Sequence, residues 1–279
     1  AETAAHPLHR PDGPIDGPSL MITRDAISLS QLRRPDWSKL WPRRRGYRVM
    51  RLEDGLMGSS RQRPMKIAAL IVAAGRGSRA GGIAPKQWQI VNGKRIIDHT
   101  LDLFAKHPKI NRIMTVLHSD DLHHLDPTME RTVGGPSRQA SVLNGLKALS
   151  KSPPDAVLIH DGARATTPTH VISNVIKALE THQGAAPALP VTDALWQGAG
   201  GIVKKTILLD GLFRAQTPQG FHFAAILAAH HKATDTVKDD VEVALQANLS
   251  VAIVDGSEEN IKITHPEDFD RVGRILKDQ

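Results

Sequence analysis

The 279-residue chain is 40% hydrophobic, enough for a real core, and no stretch approaches the ~20 consecutive apolar residues of a membrane span. It has no cysteine, which excludes disulfides, thiolate catalysis and cysteine-ligated zinc and fits a reducing cytoplasm. The net charge of +7 is uneven: residues 1–64 carry 12 Lys+Arg against 7 Asp+Glu, the other 215 residues 24 against 22, so the basic character says little about the partners of the main body.

Residues 1–64 hold seven of the 18 prolines and no sustained apolar period. The run Trp41-Pro42-Arg43-Arg44-Arg45-Gly46-Tyr47-Arg48 mixes aromatics with arginine, a pattern seen in nucleic-acid contacts, but the composition reads as a solvated, disordered basic extension. It lacks the apolar core of a signal peptide, and its acids (Asp12, Asp16, Asp25, Asp36, Glu53 and Asp54) argue against a transit peptide. Met65, just before the first strong strand, is a plausible translation start, which would place the domain at 65–279.

From Lys66 onward strands and helices alternate. Ile67–Ala74 is a continuous apolar run, suited to a buried parallel strand. Ile96–Phe104 has the spacing of one helical face, and 110–117 reads as a strand. A helix follows at 137–149, opened by the capping residue Ser137. Ala156–His160 is a short buried strand, 171–179 a helix, and 185–191 and 251–254 further strands. The turn Gly198-Ala199-Gly200-Gly201 between extended pieces at 196–209 predicts a projecting β-arm, and the polar stretch 235–240 predicts a loop. Such alternation implies an α/β fold of Rossmann-like type: a mostly parallel sheet with helices on both faces. Ligands then bind at the carboxyl ends of the strands, which brings the loops after Ala74, Val133 and His160 around one crevice.

The first of these loops carries the chemistry. Gly75, Gly77 and Ala80 match the spacing G-x-G-x-x-A of dinucleotide-binding turns. Gly81, Gly82 and Pro85 prevent the prompt helix that such a turn needs, Asp98 falls in a helix rather than at a strand end, and no Gly-Lys-Ser/Thr follows for a Walker loop. What remains is a long glycine-rich loop with three cations, Arg76, Arg79 and Lys86, for which polyphosphate is the natural partner. His118, His123 and His124 lie near Asp120, Asp121 and Asp126, but adjacent histidines diverge on a helix, and these, like His230 and His231, read as solvated surface.

Ala73-Ala74-Gly75-x-Gly77-x-Arg79 with Pro85-Lys86-Gln87 resembles the signature of the 2-C-methyl-D-erythritol 4-phosphate cytidylyltransferase family, IspD. The likeness continues in order through Ile97-Asp98-His99-Thr100-Leu101, the second loop Gly134–Val142, His160-Asp161-Gly162-Ala163-Arg164, Ala215–Phe221 and Glu259–Thr264. The fifth of these elements, Ala215–Phe221, is similar to the cytidylyltransferase half of bifunctional relatives. The resemblance implies transfer of CMP from CTP to 2-C-methyl-D-erythritol 4-phosphate, giving CDP-methylerythritol and pyrophosphate by attack at the α-phosphate, with Arg79, Lys86 and Lys262 as catalytic residues. Ala73, Ala74, Gly75, Gly77, Gly135, Arg138 and Ser141 would hold CTP. Asp161, Arg164 and Asp193 would lie near the acceptor, and Asp161 near a magnesium ion. It also implies a homodimer completed through the arm; neither a membrane nor a nucleic acid is expected as a partner.

Several acceptor positions depart from the family pattern. Ala194 follows Asp193 where threonine is usual, Leu209 replaces an arm arginine, and Lys238 stands in the family's Thr-Asp-Asp/Glu loop. Lys204 or Lys205 on the arm, or Lys238, would offset the missing cation. The departures leave two alternatives open: a cytidylyltransferase for another polyol phosphate, such as ribitol 5-phosphate, and a non-catalytic nucleotide-binding protein.

Overall fold

The computed structural model describes residues 63–76, 85–234, 237 and 239–279. By contacts the chain divides into Ala1–Ser60 and Arg61–Gln279, and every described residue belongs to the second unit. The extension 1–62, the loop 77–84 with Gly77 and Arg79, and residues 235, 236 and 238 lie outside the described residues.

In chain order the strands are β1 (Ile67–Ala73), β2 (Ile90–Val91), β3 (Lys94–Arg95), β4 (Arg112–Leu117), β5 (Arg131–Val133), β6 (Ala156–Asp161), β7 (Gly184–Pro190), β8 (Leu195–Ala199), β9 (Ile202–Ile207), β10 (Phe213–Ala215), β11 (Gln219–His222) and β12 (Val251–Asp255). The helices are α1 (Ile96–Ala105), α2 (Arg138–Leu149), α3 (Thr169–Ala178), α4 (Phe223–Lys232), α5 (Asp240–Gln246) and α6 (Glu267–Asp278). Eight strands form one sheet in the order β10-β7-β11-β6-β1-β4-β5, with β12 along the other edge of β7. β1 pairs in parallel with both β4 and β6, β5 with β4, and β12 with β7; only β10 and β11 run antiparallel. The expected Rossmann-like α/β architecture is the one observed.

β1 explains the layering. Its side chains alternate across the sheet. Ile67, Ala69 and Ile71 pack on one side with Ile97, Leu101 and Phe104 of α1 and Ile172, Val175 and Ile176 of α3. Ala68 and Leu70 pack on the other with Val142, Leu146 and Leu149 of α2, Ile226 of α4 and Val243 of α5. An unbroken apolar strand therefore marks the centre of the sheet, where both faces are covered.

Three expectations change. Asp161 ends β6, in register with Val72, rather than opening a loop. The stretch 235–240, read as a loop from its polarity, ends in a helix start at its described residues. Asp239 accepts a hydrogen bond from Glu242 N at 2.9 Å and caps α5, so these acids serve a helix N-terminus, where carboxylates are favoured. His230 is not solvated: it lies on the inner face of α4, its side chain fully buried, 3.2 Å from Asp240. The predicted arm is present as an antiparallel β8–β9 hairpin, exposed along nearly its whole length, with Gly200 and Gly201 at positive φ in the turn.

Candidate active site

The carboxyl ends of β1, β4, β5 and β6 open into a cavity of about 580 Å³. Its walls come from the start of the glycine loop (Val72–Arg76), from Lys86 and Gln87, from Gly135–Arg138 with Ser141, from Asp161–Ala163, and from Lys262 and Thr264. The three loops expected around one crevice do meet there.

Each wall is held by specific bonds. The buried Gln87 amide donates to the carbonyls of Ala73 and Gly75 at 3.0 and 3.1 Å, fixing the exit from β1. Lys86 Nζ donates to Ile263 O at 2.6 Å, which ties the first loop to the segment that carries Lys262. In the second loop Gly135 N–H donates to Ser141 Oγ at 3.0 Å, and that hydroxyl donates to Ser137 O at 2.9 Å. Ser137 Oγ accepts from Ala140 N and caps α2 as expected. Gly134 allows the first two loops to touch, since a Cβ there would collide with that of Ala74.

Asp161 is the electrostatic centre. Lys262 Nζ lies 2.8 Å from one oxygen, Arg138 Nε 3.4 Å from the other, and Arg164 Nε 3.6 Å from the first. Burial opposes its ionisation, but Arg138, Lys262 and Arg164 outweigh burial and hold the carboxyl far below the usual carboxylate range. The backbone beneath is equally fixed. Thr217 Oγ1 accepts from Asp161 N–H at 3.2 Å and pairs with His160 Nδ1 at 3.0 Å. His160 Nε2 reaches Arg164 O at 3.1 Å, and Arg164 Nη1 donates to Asn260 O at 2.7 Å. Burial holds the His160 ring neutral, its pKa lowered to about 4. Neutral imidazole serves here as donor on one side and acceptor on the other.

Of the residues expected at the site, Ala73, Ala74, Gly75, Lys86, Gly135, Arg138, Ser141, Asp161 and Lys262 all line the cavity. Arg164 lies buried beside Asp161, outside the lining. Asp193 sits exposed just before β8, at the root of the arm, away from the cavity wall. Gly77, Arg79 and Lys238 belong to the undescribed segments. One expected surface residue joins the site: His118 lines the cavity, and its Nδ1 is 2.8 Å from Arg76 Nη2. Arg76 is drawn to that rim by Asp120 and by Asp121 at 3.3 Å. No cluster of three or more metal-ligating side chains occurs among the described residues.

The model of the IspD family, 2-C-methyl-D-erythritol 4-phosphate cytidylyltransferase, matches residues 67–278, which span every wall of this cavity. The chain belongs to that family.

Relatives agree. The enzyme of that name from Cereibacter sphaeroides is 50% identical over 219 residues, covering 76% of this chain and 97% of the relative. The bifunctional IspD/IspF enzyme of Ruegeria pomeroyi is 51% identical over 217 residues, covering 76% of this chain and 57% of its own length. The crystal structure of the Francisella tularensis cytidylyltransferase superposes with a TM-score of 0.67 at 26% identity, over 76% of this chain and all of that one. The resemblance drawn from six short motifs is thus a family membership, and the chain is a nucleotidyltransferase of that family. Sequence reading gave no role to Gln87, Thr217 or Asn260, although all three sit inside the quoted motifs. Their side chains bond to the backbone and side chains of neighbouring site segments, and motif spacing does not reveal such supporting bonds.

Proposed function

We propose that this chain transfers CMP from CTP to 2-C-methyl-D-erythritol 4-phosphate, releasing pyrophosphate and forming CDP-methylerythritol, a step of non-mevalonate isoprenoid synthesis. The observation that carries this reading is the convergence of Lys86, Arg138 and Lys262 on one cavity, around a single ionised carboxylate. A phosphate oxygen of the acceptor forms a bond to the α-phosphorus of CTP, and the bond from that phosphorus to the bridging oxygen breaks. The nucleophile is already anionic near neutral pH, so the reaction needs no general base and the cavity needs no Ser/His/Asp arrangement. The work is alignment and charge neutralisation.

The backbone at Ala73–Gly75 and Gly135 with Ser141 would hold CTP. Lys86, together with Arg79 on the adjoining loop, would meet charge on the α-phosphate and the departing pyrophosphate. Lys262, 2.8 Å from Asp161, would receive the acceptor phosphate. Arg164, held by Asn260, keeps Asp161 ionised and in place. A lone ionised carboxylate in a phosphate cavity fits magnesium, which is commonly held through one or two carboxylates plus substrate phosphates. Asp161 would hold the ion, which screens triphosphate charge when bound.

The arm favours a homodimer. Trp196, Ile202 and Val203 on the β8–β9 hairpin are 65%, 62% and 51% exposed, an apolar surface of the kind that marks a protein interface. A second copy seated there would bring Asp193 and Lys204 or Lys205 toward an active site. No helix among the described residues is long and apolar enough to cross a membrane.

The test is mass-spectrometric detection of CDP-methylerythritol from CTP and the acceptor with magnesium. Its formation supports the reading. CTP binding without any product would support the non-catalytic alternative.

A further inference from the structure

One carboxylate behind the cavity has no part in the reaction described above. Asp240 opens α5 with its side chain 1% exposed. One of its oxygens lies 2.7 Å from Arg138 Nη1 and the other 3.2 Å from Nε2 of the fully buried His230. Its backbone is held too: Gln219 Oε1, on β11, accepts from the N–H groups of Asp240 and Val241 at 3.1 and 3.2 Å. Residues from α4 and β11 therefore brace Asp240, which in turn pairs with the guanidinium that α2 presents to the cavity. Burying a carboxylate this deeply costs several kcal/mol unless partners repay it, and a helix start does not require it there, since Asp239 already supplies the cap. Burial opposes ionisation of Asp240, while Arg138 and His230 prevail and keep it charged.

The other partner of Arg138 is Asp161, the carboxylate that Lys262 also uses. Among the described residues Arg138 makes ion pairs only with Asp240 and Asp161. Without Asp240, the guanidinium would turn fully to Asp161 and compete with Lys262 for it. We propose that Asp240, braced by His230, is a positioning residue that holds Arg138 between the second nucleotide loop and Asp161, so that Arg138 meets the charge on the transferred phosphate while Lys262 stays free to exchange Asp161 for the acceptor. This rests on the cytidylyl-transfer reading.

Asp240→Asn keeps the size and removes the charge. Turnover should fall about 100-fold, the scale of an ångström misplacement, while the KM for each substrate moves less than about threefold. In an Arg138→Ala background the same change should alter turnover by less than about twofold, because residues that act through one another are not additive. Multiplying effects, or wild-type turnover in a folded Asp240→Asn protein, would overturn the proposal. If Asp240→Asn does not fold, His230 decides. His230→Gln retains a donor in place of Nε2 and should keep turnover, whereas His230→Leu should lose about tenfold; equal turnover in the two overturns the proposal. Wild-type pyrophosphate release is the reference throughout: none there contradicts the reaction, whereas normal release there with an unaffected Asp240→Asn protein contradicts the anchor alone.

Discussion

Lys86 joins two parts of the site at once, because its ammonium bonds to Ile263 O while its loop leads from the glycine turn. Lys86→Ala should lower turnover by about 100-fold or more, as losing a donor to a charged transition state does, with circular dichroism unchanged. Near-wild-type turnover would remove Lys86 from the mechanism. His160 sets a different, pH-linked property. The unfolded ring takes a proton near its ordinary 6.5, whereas the buried ring resists until about 4. Unfolding thus gains a proton as pH falls from 6.5 to 4, and stability should drop across that window by roughly 3 kcal/mol. His107, its pKa also lowered by burial, adds a smaller drop of the same sign. Asp161 and Asp240, both held ionised, withdraw their support only at lower pH, beginning near the ordinary carboxylate value of 3.8. Denaturant unfolding of His160→Gln from pH 7 to 5 should show a shallower slope than wild type; an equal slope would place the acid sensitivity elsewhere. Most cavity-facing residues were legible in the sequence, because Ala73–Gly75, Lys86 and Asp161–Ala163 fall in contiguous motifs. Asp240 and His230 were not, because Asp240 meets Arg138 in space, across 102 residues, and His230 reaches the site only through Asp240.

At the scale of elements, α2 must lie close on the sheet for Gly135 and Ser141 to reach the cavity. Gly145 permits it, for a Cβ there would collide with Leu70 Cδ1 and come within 2.8 Å of Val116 Cγ2. Gly145→Val should destabilise by about 2–3 kcal/mol through overpacking, read as a lowered unfolding midpoint. A midpoint within error of wild type would mean that the helix can lift away without loss. The apolar run of β1 and the capping Ser137 made these elements readable, since a strand covered on both faces has no polar alternation to confuse. The start of α5 was hidden because its capping acids resemble loop composition, and the antiparallel β10 and β11 because three- and four-residue strands carry little period. The second half of the sheet therefore owes more to pairing with β6 and β7 than to local signal.

At the scale of the whole molecule, the arm is a hairpin with Trp196, Ile202 and Val203 exposed. If the proposed dimer forms through it, Trp196→Glu should lower the mass in multi-angle light scattering from dimer to monomer and reduce turnover with it. A wild-type monomer with full activity would show that one chain completes its own site. The departures that the resemblance marks on the acceptor side, Ala194 and Leu209, flank the β8–β9 hairpin. The arm was legible from its glycine turn, because Gly198-Ala199-Gly200-Gly201 between extended pieces marks a hairpin. The identity of the acceptor therefore decides what the enzyme makes. The most direct measurement is pyrophosphate release from CTP with a panel of polyol phosphates, compared as kcat/KM. 2-C-methyl-D-erythritol 4-phosphate should exceed ribitol 5-phosphate by about 100-fold or more, the scale set by unmatched polar contacts in a shaped site. A preference for ribitol 5-phosphate, or no release with any acceptor, would contradict it.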